Sequence, residues 1–514
     1  MAGTSRSRPV PLSRAVGRLR RQVATLEDDL RLAVRDPLAG AVRLVQRPLG
    51  SQDDLVVRTL GDEAAVLYMA TTVDRQLLYH EVLLPLLRAG ATRGQLAART
   101  GRLLARVLPD SDSLPSLPDA ADRLAAGQVV VLAAWGEIRA AELTRVPERG
   151  VASPTTEQAI LGSKEAFIEN LETNLGLVRR RLMGESLRVH RYRLGRRTRT
   201  PAALLYLDDL APRQLVQSLE RGLRRLDLDA VRAGSDLVEL FFQDSLGLVP
   251  LSERTERPDR LAEVLLQGRV ALLVQGDPFA LVVPTTALET LKDAEDHLTG
   301  PLMVAFVRGL RFLGLVLAAV LPALYVALMS VDIGVLPVPL ALVVSTSRIN
   351  VPYPVTVETL LILVVMDIFT EASMQAPSGI GTTLSIVGTL IIGQVAVQAN
   401  LASQLIMIVV AASAMGAYLS TKYETGYAVR LIKYPLALSA AGLGLTGLAG
   451  ALLALLGYAA SLESAGVPFL APLGPLQVHS LRKHDLWLPP RPRIARRSET
   501  WRPRESRMGG GRSR

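Results

Sequence analysis

The 514-residue chain has no cysteine, five histidines and only 4% aromatic residues. Without cysteine there is no disulfide framework, no thiolate metal site, no cysteine nucleophile and no lipid-modified cysteine, so a lipoprotein role is excluded. The histidines, His80, His190, His297, His479 and His484, are scattered, and His80-Glu81 lacks a second ligand one helical turn later. No metal site is expected. A Walker phosphate loop, a dinucleotide-binding glycine fingerprint, an HExxH helix and a nucleophile elbow are also missing. The chain therefore reads as a non-enzyme, with no catalytic residue and no cofactor. The first 35 residues are arginine-rich and lack the apolar run and small-residue cleavage site of a signal peptide, which predicts a cytoplasmic N-terminus.

The net charge of +10 is unevenly placed. Residues 1–35 hold eight arginines against three acids, and residues 482–514 hold eleven Lys and Arg against three acids, so the ends carry +13 and the body −3. Basic ends suit an anionic phosphate surface, either nucleic acid or the cytoplasmic face of a bilayer. A second basic cluster, Arg188, Arg191, Arg193, Arg196, Arg197 and Arg199 with Tyr192 as a stacking group, poses the same choice. It reads as a solvated basic loop or an intersubunit contact.

Between about Asp53 and Leu298 short apolar runs bounded by turn formers read as buried strands: Val129–Leu132, Ala203–Leu207, Val270–Val274 and Phe279–Val283. Gln275-Gly276-Asp277-Pro278 joins the last two as a hairpin turn. Phe167, Leu171, Leu175 and Val178 make one apolar helical face. The proline-rich break Pro109–Pro118 divides this α/β region. The expected organisation is a basic tail at 1–52, soluble subdomains at 53–118 and 119–300, a transmembrane region at 301–465 and a basic cytoplasmic tail at 466–514.

Composition changes at Phe312. Phe312–Val331 is twenty residues without a charge, the length that a hydrocarbon core of roughly 30 Å requires. From Phe312 to Thr421 the only charged side chains are Asp332, Arg348, Glu358, Asp367 and Glu371. Further spans are expected at Ile380–Ala399, Leu401–Ser420 and within Tyr434–Ala460, with Ile333–Thr346 re-entrant or interfacial. The fold class is thus an integral membrane α-helical bundle of about four to six segments with a cytoplasmic α/β N-terminal region. Arg308 and Arg311 before the first span, and Lys422, Arg430 and Lys433 between the last two, place those flanks inside. A single crossing at Tyr434–Ala460 would put the basic C-terminal tail outside; a turn near Gly442, Gly444, Gly447 and Gly450 would return it.

Ionisable groups at membrane depth persist mainly where they face protein or water. Asp367 and Glu371 share one helix face and Glu358 lies opposite. They either line a hydrated cation path or sit in headgroup water at the interface. Gln394, Gln398, Asn400 and Gln404 form an uncharged polar series suited to partner helices or a pore. Gly381, Ser385, Gly388 and Gly393 are small residues that allow close helix packing.

The run Val351-Pro352-Tyr353-Pro354, Glu358-Thr359-Leu360, Glu371-Ala372, Pro377, Gly381, Ser385-Ile386-Val387-Gly388 and Ile391 to Ala399 resembles the core of the GerA spore germination receptor A-subunit family. Phe167, Asn174 and Arg179-Arg180-Arg181, Thr255-Glu256-Arg257-Pro258-Asp259, Pro278-Phe279 with Pro284, and Gly466–Pro472 extend the resemblance over about Asp53 to Pro475. Leu363, Thr370, Gln375 and Leu161-Gly162-Ser163 depart from charges or an Arg-Gly-Pro sequence common in the family, as in a branch nearer its stage V sporulation AF-type members. The resemblance implies an oligomeric channel component in the inner membrane of a bacterial spore that releases monovalent cations in response to nutrient germinants. It also implies a transporter-like B subunit and a lipoprotein C subunit, while the bilayer spans themselves make membrane lipids or fellow subunits, and no nucleic acid, the expected partners of the basic ends. A non-conducting scaffold subunit and a secondary transporter are the alternatives.

Overall fold

The computed structural model describes residues 36–50, 52–90, 108, 111–143, 154, 157, 162–184, 186–241, 247–297, 299–376 and 393–474. The basic ends at 1–35 and 475–514 lie outside these residues.

The first unit is built on a five-stranded antiparallel sheet. Helix α1 (Pro37–Leu49) starts at Asp36, whose side chain accepts from Ala39 N, and precedes β1 (Leu55–Leu60) and β2 (Ala64–Met69). A helix α2 (75–90) has a π-helical stretch at Leu78–Leu83. Then come β3 (Ser111–Ser113), α3 (Leu117–Ala125), β4 (Val129–Ala133) and β5 (Ile138–Ala141), in the sheet order β1-β2-β4-β5-β3. Strand alternation sends Leu67, Val130 and Leu132 toward α1 and α3, and Val66, Val129 and Val131 toward α2. This topology moves the division expected at Pro109–Pro118. β4 pairs with β2 across that break, so the first unit runs to Ala141 and also takes in α1 from the expected tail.

The second unit repeats the plan. Asn170 caps α4 (Leu171–Arg181), followed by β6 (Leu187–Leu194), β7 (Thr200–Leu207), α5 (Arg213–Arg225), α6 (Ser235–Phe241), β8 (Glu253–Thr255), α7 (Pro258–Leu266), β9 (Val270–Val274) and β10 (Ala280–Val283). The order is β6-β7-β9-β10-β8, all antiparallel, and β9-β10 is the hairpin expected from Gln275–Pro278. Phe167, α4 and α7 cover one face. α5, α6 and, from far along the chain, Leu462 and Phe469 cover the other. The two units are tied by Arg179, whose guanidinium grips the buried Asp54 carboxylate at 2.7 and 2.8 Å and donates to Gln52 Oε1. Most of the basic cluster is used internally: Arg188 donates to Leu49 O, Arg191 forks onto Glu172, and Arg196 and Arg197 pair with Asp227 and Asp229.

From Pro301 to Ser461 the described chain is helical, with α8 (Pro301–Ser330), α9 (Val338–Ser347), α10 (Val355–Gln375), α11 (Gly393–Gln398), α12 (Gln404–Tyr418) and α13 (Tyr423–Ser461), and a short antiparallel pair of strands, Glu463–Ser464 with Val467–Pro468, follows. By length and composition α8 and α13 could cross a membrane, whereas α9 and α12 are apolar but shorter. α8 and α12 cross where a Cβ on Gly416 would fall on the Gly314 carbonyl oxygen. Of the four small residues expected to pack, Gly381, Ser385 and Gly388 lie outside the described residues; Gly393 faces the Met407 side chain.

α13 is not one rod. A straight 39-residue helix would span about 58 Å at ~1.5 Å per residue. Yet Lys422 Nζ, just before it, lies 2.6 Å from Glu253, and Ser464, just after it, donates to Leu251 O at 2.5 Å. The chain reverses at Gly444, the one residue inside α13 with non-helical dihedrals (φ 62°, ψ −142°). A left-handed φ suits glycine, and a Cβ here would strike Asp332. Asp332 Oδ2 accepts from Leu445 N at 2.6 Å and so caps the returning leg. The open question about Tyr434–Ala460 is answered by a helical hairpin whose two ends meet the same domain.

Candidate functional site

The candidate site is the junction between the second α/β unit and the helices, and it contains two joints. At the first, α8 brings Arg308 and Arg311 onto the short helical turns before it. Arg308 Nε and Nη2 lie 2.7 Å from Asp296 Oδ2, and Arg311 reaches Asp296 Oδ1 at 3.1 Å, Leu291 O at 3.1 Å and Asp293 at 3.4 Å. Arg308 and Asp296 are both buried. The bases read as an inner-face flank thus also clamp α8 to the domain.

The second joint centres on Glu253 of β8. Its carboxylate meets Arg260 Nε at 2.9 Å, Arg269 Nη1 at 2.6 Å and Lys422 Nζ at 2.6 Å. Burial alone would push this carboxyl up, but Arg260, Lys422 and Arg269 hold it well below the usual range. Glu289 shares Arg260 and Arg269 and binds Lys292 at 2.6 Å. Opposing its burial, these cations bring it to about 2. Burial lowers the Lys422 ammonium, with Glu253 opposing. Thr255 Oγ1 donates to Glu157 at 2.7 Å beside this network, and burial raises Glu157 to about 7. Nothing in the local sequence marks this cluster, because Glu253, Arg269, Glu289 and Lys422 lie far apart and meet only through the sheet and the α13 joint.

Alongside the second joint an open groove of about 1340 Å³ runs between the domain and α10 and α13. Asp367 and Glu371 both line it. Asp367 accepts from Lys433 Nζ at 2.8 Å and Tyr434 OH at 2.6 Å; Glu371 accepts from Tyr427 OH and, at 2.9 Å, from Gln375 Nε2. Glu358 stands elsewhere. It is fully buried, pairs with Arg348 Nε at 3.0 Å and accepts from Ser403 N at 2.7 Å, the residue that caps α12. Gln394, Gln398, Asn400 and Gln404 are exposed near that end. The seven candidate path residues therefore fall at two levels, with Asp367 and Glu371 near the domain. Glu358 and the amides lie at the other end, about 20 Å along α10 at ~1.5 Å per residue.

Two antiparallel sheets in tandem, joined by buried ion pairs to long apolar helices with carboxylates at the junction, define a class: a double α/β domain coupled to a helical module with two helices long and apolar enough to cross a membrane. The family model described as Bacillus/Clostridium GerA spore germination protein matches residues 43–500, and the chain belongs to that family. It is 31% identical over 436 residues to spore germination protein B1 of Bacillus subtilis (strain 168), covering 84% of this chain and 90% of that one. It is also 29% identical to spore germination protein GerLA of Bacillus cereus over 86% of this chain and 92% of the other. The crystal structure of the N-terminal domain of the A subunit of the Bacillus megaterium germinant receptor GerK3 is similar at 23% identity. That match covers 48% of this chain and 94% of that one, with a TM-score of 0.36.

Proposed function

We propose that this chain is the A-type subunit of a germinant receptor, and that an oligomer of it in the inner spore membrane is the channel part that releases monovalent cations. The reading is non-enzymatic, places the helices as a bundle of four to six membrane segments and assigns nutrient sensing to a transporter-like B subunit beside a lipoprotein C subunit. The observation that carries it is the junction: the α/β domain grips both α8 and α13, and Asp367 and Glu371 face the groove between them. Carboxylates there attract cations toward the helices. A second reading, a non-conducting scaffold, draws on the same acids, because both already have partners within one chain.

Flux from liposomes containing the full chain separates them. Potassium release supports the channel, solute counterflow would indicate a transporter, and silence supports the scaffold. Asp367→Asn with Glu371→Gln is expected to reduce cation over anion selectivity, with Lys433→Met added so that no unpaired cation is left beside the path. Unchanged selectivity removes the two acids from the path.

A further inference from the structure

The groove beside the second joint has a shape that ion conduction does not explain. Its volume exceeds the ~300–1,000 Å³ of small-molecule sites. Where the hairpin meets β8 the groove carries both signs of charge beside an apolar domain wall that includes Val238, Val249 and Leu251: Arg430 sits 5.2 Å from the centre of the Tyr427 ring, the same Tyr427 donates to Glu371, and Arg254 pairs with Glu424 at 3.5 Å. Tyr423 and Tyr427 stand at this level, as aromatic residues do where membrane helices meet headgroups. Away from the domain the helix lining turns apolar. On α10, Ile368, Val364, Leu361 and Val357 are all exposed and recur at spacings of four, three and four, so they form one stripe leading out of the groove. On α13, Leu431 and Leu438 are exposed as well. The stripe runs about 16 Å at ~1.5 Å per residue.

A polar mouth of mixed charge followed by an apolar track is the imprint of an amphiphile with a zwitterionic head. We propose that the groove binds one phospholipid with an amine-bearing zwitterionic headgroup, its phosphate toward Arg430, its ammonium toward the Glu371 and Glu424 carboxylates, and its acyl chains along Ile368, Val364 and Leu431. Of the four carboxylates lining the groove, Asp367 is held by Lys433 and Asp236 by Arg232, so the headgroup meets Glu371 and Glu424 beside Arg254 and Arg430: a purely anionic head would face those two carboxylates and a purely cationic one the two arginines. The lipid then fills the space between the domain and the helix hairpin, where any relative movement of the two must displace or reshape it. The proposal rests on the membrane reading of the helices.

The test uses the full chain in nanodiscs of phosphatidylethanolamine and phosphatidylglycerol, with a phosphatidylethanolamine probe carrying a photoreactive diazirine on its acyl chain. Adducts mapped by mass spectrometry should concentrate on Val364, Ile368 and Leu431. Arg430→Glu should reduce them roughly tenfold, the loss of one charge-assisted hydrogen bond. Ile368→Trp, which fills the track and leaves the charges in place, should reduce them as well. A phosphatidylglycerol probe should label the groove less. Leu313, exposed on α8 away from the groove, is the control. Labelling of Leu313 equal to that of the groove in every variant means ordinary surrounding lipid and overturns the site. Absence of adducts at Leu313 as well as in the groove would sink the membrane reading itself.

Discussion

The two joints between domain and helices differ in who owns the charges. At the first, the acids Asp293 and Asp296 belong to the domain and both cations, Arg308 and Arg311, belong to α8. Take the helix away and Asp296 is a buried carboxylate without a cation. At the second, Glu253 has three cations, and two of them, Arg260 and Arg269, come from the domain itself. Take α13 away and Glu253 is still satisfied. The domain therefore needs α8 and can do without Lys422. Lys422 gains little in return, since burial already disfavours its charge. The α8 joint depends on its helix for both cations, whereas the Lys422 contact is the one the domain can lose with its own charges still paired.

Glu253→Gln attacks what both sides of the second joint depend on and is the most damaging change expected. It strands Lys422 and takes the nearest carboxylate from Arg260 and Arg269, which are left with Glu289 and Glu263, and breaking buried pairs of this kind costs about 3–5 kcal/mol. Loss of protease-resistant protein on expression checks it. Arg308→Gln comes next. Arg311 still reaches Asp296, so roughly 2–3 kcal/mol is expected, the value of hydrogen bonds to a charged group. Limited proteolysis should then cut near residues 298–301. Lys422→Met should sit within about 1 kcal/mol of the parent in thermal unfolding, because the buried carboxylate keeps its two arginines and the methionine avoids burying a charge. A loss as large as that of Arg308→Gln would erase the distinction between the joints.

How far the sequence reveals this junction depends on the range of the interactions. Strands such as Val270–Val274 and the hairpin beyond them were legible, because alternation, apolar runs and turn residues are local signals. Asp367 and Glu371 could be found because a charge in an apolar segment is conspicuous, and their place near the domain follows from α10 running toward it. What stayed hidden was long-range. The partners Lys433, Tyr434 and Tyr427 come from another helix, and Glu253 meets Lys422 across 169 positions of sequence. The reversal at Gly444 was half visible in the run of glycines, but Asp332, which caps the returning leg, carries no local sign of that task. The unit boundary was misplaced because a proline-rich break marks a loop, whereas β2 pairing with β4 is what makes a unit.

The same joint can also be tested through protons. Glu157 lies beside Glu253 and Lys422, and burial raises its carboxyl from an ordinary 4.5 to about 7, with the Thr255 hydrogen bond opposing. A raised value means that the folded chain holds a proton which the unfolded chain has released between those two pH values. The stabilisation is fully present below pH 4.5 and is lost as pH rises through 7. Stability of the α/β domain should thus fall between pH 5 and 7, by at most about 1.4 kcal/mol per pH unit for a single proton. Glu157→Gln keeps the shape, removes the titration and should flatten that part of the curve. Lys422→Met should steepen it, since Lys422 is one of the two cations that oppose the rise in Glu157. Urea midpoints of the detergent-solubilised chain at pH 5, 6 and 7 measure all three. A parent curve that is flat, or one that rises with pH, would mean that Glu157 is ionised in the fold and that the second joint carries one more negative charge than the geometry assigns to it.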